Sequence, residues 1–238
     1  MTDQRDSPRR SQPSLKRPGR WLISLAGVLL LLAILNAALR PWYMRWGATD
    51  AELRRTYPDN QLVPNVLTVA TRAITIQAPP QAVWPWIVQI GEDRGGFYSY
   101  TWLENLFLAD MHNADRINPQ WQTRQRGDTV WLTRKDRYHG NARTVVAEYE
   151  PGHVMILVSP PNYEKLAQSG PPIDATWSVM LEPEGENASR LIMRWRGQST
   201  GWVRQASGYF LFDPCHFIME RRMMLGIKGR AEKSSNRR

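Results

Sequence analysis

The stretch that decides the fold is "TRAITIQAPPQAVWPWIVQI", residues 71–90. Ile74 and Ile76 alternate with Thr75 and Gln77, the two-residue period of a strand with one buried face. The alternation stops at Ala78-Pro79-Pro80. Prolines cannot donate to a sheet ladder and hold φ near the helical value, so the pair ends a strand over 69–77 and opens a helix over 80–89. The unit is a strand, a sharp corner and a short Trp-rich helix.

Downstream, "SYTWLENLFLAD" predicts a second helix, with Trp102, Leu103, Leu106 and Phe107 on one face and Ser99 or Thr101 as cap. Alternating runs then predict strands over 128–134, 142–150, 153–159, 175–183 and 189–197. "EPG" at 150–152 and "PEGENA" at 183–188 have hairpin composition, which makes the strands antiparallel. In the last strand Leu191, Met193 and Trp195 form a dry face, while Ile192, Arg194 and Arg196 form the other, expected to point outward. A dry face needs a cover. "FLFDPCHFIMERRMMLGIK", residues 210–228, supplies it: Asp213 as N-cap, Pro214 at the first helical position, then a broadly apolar helix. The fold class is α+β, a curved antiparallel sheet with a long C-terminal helix.

The ends of the chain differ in kind from this domain. Residues 1–20 are rich in Arg, Ser, Pro and Gln and read as a disordered basic segment. Residues 21–39 carry no charge and no proline, about the length of a bilayer-spanning helix, with Trp21, Trp42, Tyr43, Arg40 and Arg45 as interfacial flanks. The run is longer than the apolar part of a cleaved signal peptide, so 21–40 is read as one uncleaved transmembrane anchor. More cations precede it than closely follow it, which puts the N-terminus in the cytoplasm and the domain outside. Residues 41–67 read as a connecting arm, 68–230 as the domain and 231–238 as a basic tail. The formal charge of +9 is carried by the two ends, leaving the middle near neutral, so no nucleic-acid partner is expected. The single Cys215 excludes an internal disulfide and sits in an apolar helical pattern, where a thiol is a small buried hydrophobe.

Taken together, "TRAITIQAPPQAVWPWIVQIG", "GGFYSYTWLENL", "MHNADRINPQWQ", "GDTVWL" and "HFIMERRMMLGIKGRAE" resemble the START-like, or SRPBCC, helix-grip superfamily, which includes polyketide cyclases and lipid-transfer domains. The resemblance covers residues 68–230 and implies a deep apolar cavity between the C-terminal helix and the sheet. Ile74, Ile76, Trp177, Leu191, Met193 and Trp195 from strands, and Met219 and Met223 from the helix, are the residues expected to line it. The densest polar cluster is "ADMHNADRINPQW", in which His112 and Asp115 are the catalytic candidates if a reaction is catalysed. Its spacing matches no metal motif, and Asp and Asn after a helix also serve as backbone caps. No cofactor or metal is implied. The expected function is a membrane-anchored domain that holds a hydrophobic small molecule or lipid. A cyclase/dehydrase-type enzyme using the same cavity and a structural envelope protein with a self-filled core are the alternatives.

Overall fold

The structure, a computed structural model, describes residues 19–198 and 201–235. Helix α1 spans Arg20–Tyr43. Its residues through Ala38 belong to one unit, and Leu39 onward forms a second. In the first unit the helix is apolar on every side, with Trp21, Leu30 and Leu32 among its exposed side chains. It is long and apolar enough to cross a membrane, a test a signal sequence also passes.

The second unit is α+β. It comprises α2 (Asp50–Arg54), α3 (Asp59–Leu62), β1 (Thr68–Ile76), α4 (Pro80–Val88), α5 (Thr101–Leu106), β2 (Thr129–Trp131), β3 (Arg143–Glu150), β4 (Val154–Val158), α6 (Pro160–Ser169), β5 (Ala175–Pro183) and β6 (Ser189–Gly197). It closes with α7 (Trp202–Ser207), a π-helical turn (Gly208–Phe212) and α8 (Asp213–Ser235). The six strands form one antiparallel sheet in the order β1-β6-β5-β4-β3-β2. An irregularity between Val146 and Glu148 breaks the β3–β4 register, the kind of bulge that bends a sheet. The opening corner forms as the sequence dictates: Pro79 is extended, Pro80 opens α4, and Val83, Trp84, Trp86 and Ile87 go into the core.

α8 lies across the inner face of the sheet, burying Met223, Met224, Ile227 and Ala231 against Ile76, Leu191 and Met193. Its close seat depends on Gly226, where a Cβ would stand 2.3 Å from the carbonyl oxygen of Tyr98. Asp213 does not cap this helix. The chain reaches it already helical through α7 and the π turn, and the Asp213 carboxylate instead accepts hydrogen bonds from Arg40 Nε (3.0 Å) and Nη2 (2.7 Å). The helix also runs on through Ser235, so most of the tail predicted over 231–238 is helical and Ala231 is buried; residues 236–238 lie outside the described residues, as does the basic segment through residue 18.

The outer face of the sheet is covered too. Arg194 and Arg196 do lie opposite Leu191, yet both are buried rather than solvent-facing. The arm explains this. Arg194 pairs with Asp59 of α3 and donates to Asn60 Oδ1 (3.0 Å), while Arg196 donates to the Val63 carbonyl (2.8 Å). Tyr57, Leu62 and Val63 pack beside them against Ala73, Ile192 and Ile156. The arm also shields the edge strand: Thr71 and Ala73 donate their N–H groups to the carbonyls of Met44 and Trp46. The sheet is thus sandwiched between α8 and the arm.

Candidate functional site: a cavity under the closing helix

Between α8 and the inner face lies a mostly apolar cavity of about 420 Å³. β5 and β6 contribute Trp177 and Trp195, which face one another in register. α8 contributes His216, Met219, Glu220 and Met223, spaced so that one helical face meets the space. The π turn supplies Phe212, and α5 supplies Glu104. Leu132 and Leu157, Arg143 and Thr144, and Asn162 of α6 complete much of the wall.

Of the residues expected to line the cavity, Trp177, Trp195, Met219 and Met223 do so. Ile76, Leu191 and Met193 have the right orientation but are sealed in the core beneath α8, and Ile74 is half-buried against the same core. His112 and Asp115 do not approach the cavity. His112 is exposed with its Nδ1 2.8 Å from the Asp110 carbonyl, and Asp115 is exposed beside Arg230 at 3.4 Å. The cluster around them ties loops together: Asn105 receives the Met111 N–H and donates to its carbonyl, and Asn113 accepts from the Tyr98 N–H at 2.6 Å and donates to Ser99 O. Cys215 is exposed, not buried, because it lies on the side of α8 away from Glu220 and Met223.

The cavity's polar groups come from elsewhere. Arg72, fully buried on β1, donates through Nη1 to Glu220 Oε2 at 2.5 Å, and the Trp177 indole N–H donates to Glu220 Oε1 at 2.7 Å. His216 sits one turn before Glu220, its Nδ1 3.3 Å from Arg72 Nη1. Phe212 stacks on its ring at 5.1 Å, and Trp195 and Trp177 approach at 5.7 and 6.0 Å. Burial pushes the His216 imidazole down, toward the neutral form, against the opposing pull of Glu220. Burial alone would raise the Glu220 carboxyl, but His216, Arg72 and the Trp177 donor outweigh it and hold it below the usual range.

Glu104 is the opposite case. One of its carboxyl oxygens is buried without a hydrogen-bond partner, and burial raises its pKa to about 7. It faces the cavity because α5 is turned inside out relative to its expected packing: Trp102, Leu106 and Phe107 are exposed. The helix is a short one ended by left-handed residues Leu108 and Asp110, and its inward side meets the cavity rather than a core. Arg72 carried a legible signal, being in phase with the inward Ile74 and Ile76; Glu104 carried none in the local pattern.

No family model matches the sequence, and no curated protein matches it. Solved structures do. CalC, a self-sacrificing resistance protein from Micromonospora echinospora, is 7% identical with a TM-score of 0.41, over 73% of this chain and 100% of its own. A polyketide cyclase-like protein from Corynebacterium glutamicum is 16% identical with a TM-score of 0.29, over 74% and 92%. A protein from Nitrosospira multiformis is 12% identical with a TM-score of 0.41, over 72% and 100%. At those scores the likeness bears on nothing that this chain binds. The helix-grip architecture stands on the chain's own strand order and closing helix.

Proposed function

We propose that this chain is a membrane-anchored START-like domain that holds a hydrophobic small molecule or lipid in the cavity beneath α8. The carrying observation is the cavity itself: about 420 Å³ of mostly apolar space, within the range of small-molecule sites, left open in a domain rich enough in Trp and Met to have filled it. Its ionisable groups come from separate elements, Glu220 and His216 from α8, Glu104 from α5 and Arg143 from β3. That arrangement suits an apolar ligand with a polar function to orient. The apolar helix at 21–39 is the proposed anchor, with the N-terminus cytoplasmic and the domain on the other side. A short tether of this kind raises the encounter rate with membrane-dissolved ligands.

The test is native mass spectrometry of the full chain released from nanodiscs, beside a Met219→Trp variant whose new side chain fills the cavity. The expected result is an apolar adduct of defined mass on the wild type, absent from a folded variant. A bare mass on both, with no uptake from a total lipid extract, would sink the carrier reading and favour a structural envelope role. A cyclase/dehydrase-type reading draws on one specific observation, the cavity carboxyl of Glu104 with its raised pKa of about 7, suited to donating and recovering a proton at a substrate carbonyl. Turnover of a polyketone substrate, lost in Glu104→Gln while binding survives, distinguishes it from a carrier.

A further inference from the structure

Resting on the anchor reading above, we propose that one continuous face of the folded unit, from the π turn along α8 to α5, lies on the bilayer surface and turns the cavity's rim toward it. Its outward side chains are large and apolar. Leu211 is 66% exposed, and at the far end Trp102 and Leu106 are each 68% exposed. The residues between them connect the two ends. Cys215 and Ile218 are exposed on successive turns of α8, and Arg222, one turn further, places its guanidinium 5.6 Å from the Tyr100 ring. Tyr100 in turn lies 6.3 Å from Trp102.

The same elements wall the cavity from behind. Phe212 of the π turn, itself 40% exposed, and Glu104 of α5 line the cavity, while their neighbours Leu211 and Leu106 face out. Soluble surfaces rarely gather this many large apolar groups on one contiguous face. Placing them at the rim gives an apolar ligand a route between bilayer and cavity that avoids water.

Two observations select a bilayer as the occupant. Exposed cations, Arg204 and Arg222, are interleaved with the aromatic groups, and neither makes an ion pair among the described residues; this is the composition of a surface that meets anionic headgroups. Beneath the start of the face, the buried Asp213 binds Arg40, the residue immediately after the apolar run at 21–39. Arg40 and Asp213 both belong to the second unit, so the chain just after the apolar run is held at this face.

The single cysteine allows a direct test on the full chain in unilamellar phosphatidylcholine vesicles containing phosphatidylglycerol. An NBD fluorophore on Cys215 should shift to the blue and be quenched by lipids carrying a doxyl group near the headgroup, at least about twofold more than on a reference site. The reference is Cys215→Ala with Glu186→Cys, in the exposed hairpin at the far end of β6 from Trp195. Labels at Leu211→Cys and Trp102→Cys, in the Cys215→Ala background, should behave like Cys215. A label at Val28→Cys, in the Cys215→Ala background and read with lipids carrying the doxyl group deep in the acyl chain, reports the anchor separately. Quenching at 28 without quenching at 215, 211 and 102 overturns the docking face and leaves the anchor standing. No quenching at 28 removes the anchor and this proposal with it. A blue shift at 215 that grows with protein concentration and ignores doxyl lipid assigns the face to a second protein copy, which also overturns it.

Discussion

Two buried arginine–carboxylate pairs flank the same sheet, one on each face, and their surroundings separate them. On the outer face Arg194 of β6 meets Asp59 of α3, with Ser178, Asn60 and the Tyr57 ring (4.3 Å) closing around the pair. Burial dominates there and raises the Asp59 carboxyl above its ordinary range, despite Arg194 and Arg196. On the inner face Arg72 of β1 meets Glu220 of α8, and that carboxyl is held low by His216, Arg72 and the Trp177 donor. The outer pair joins two protein surfaces that are otherwise packed. The inner pair stands at the wall of open space. The same chemistry fastens the arm in one place and gives a cavity a fixed polar end in the other.

Replacing one carboxylate at a time breaks the comparison most strongly. Glu220→Gln leaves the Arg72 charge buried without its anion, and is expected to cost ~3–5 kcal/mol in urea unfolding at neutral pH. Asp59→Asn should cost less, ~1–2 kcal/mol, because its ionised form is already disfavoured and Arg194 keeps Asn60, Thr71 and the Tyr57 ring. The pH dependence carries opposite signs. A lowered carboxyl such as Glu220 contributes stability above its unfolded pKa of 4.5 that is lost as pH falls through its folded value. A raised one such as Asp59 loses stability as pH rises above 3.8 toward its folded value. The Glu220→Gln penalty should therefore shrink in acid. Equal penalties with equal pH slopes would erase the distinction between the two faces.

Glycine substitutions sharpen the same contrast at a smaller scale. At Gly226 a Cβ meets the Tyr98 carbonyl at 2.3 Å, so Gly226→Ala must lift α8 from its seat over the cavity. At Gly47 a Cβ meets the Ala73 carbonyl at 2.1 Å, and φ is +71°, so Gly47→Ala displaces the arm instead. Each should cost ~1–3 kcal/mol. Only Gly226→Ala should change uptake of an apolar ligand. If uptake falls equally in both, the cavity is not governed by the seat of α8.

What could be read in the sequence follows this division. The sheet was legible because one-sided burial imposes a period, the Pro-Pro corner because proline cannot donate to a ladder, and the gripping helix from its broadly apolar composition; that a cavity lined by Trp177, Trp195, Met219 and Met223 lies between them is what the family resemblance implied. Periodicity reports only which face a residue takes, so it grouped Ile76, Leu191 and Met193, buried under α8, with true cavity residues. The packing of the arm was not legible: Leu62 ends the four-residue α3, and Tyr57 and Val63 flank that helix in irregular chain. Without it, Arg194 and Arg196 had no visible partner and were placed in solvent. α6 was missed although Ser159-Pro160-Pro161 repeats the strand-ending logic of Ala78-Pro79-Pro80 and opens a helix in the same way, because its inward stripe is short, Tyr163 and Leu166 among polar neighbours. Glu104 was hidden for a different reason. Its helix keeps its apolar side chains outside, so hydrophobic patterning points to the wrong face.

That reversed helix yields the smallest expected effect and the most specific one. Glu104 has a folded-state pKa of about 7 against an ordinary 4.5, so the folded protein binds this proton more tightly than the unfolded chain. Stability must then fall as pH rises from about 4.5 to about 7 and stay level above that, the reverse of Glu220. Glu104→Gln keeps the shape and removes the charge. It should match the wild type below pH 4.5 and gain ~1 kcal/mol above pH 7, a figure reduced because water screens the open side of the carboxyl. Thermal unfolding of both proteins across that interval is the check. An apolar ligand in the cavity should widen the gap, since it removes the water that screens the charge. A gap that is flat with pH would mean that Glu104 reaches solvent freely.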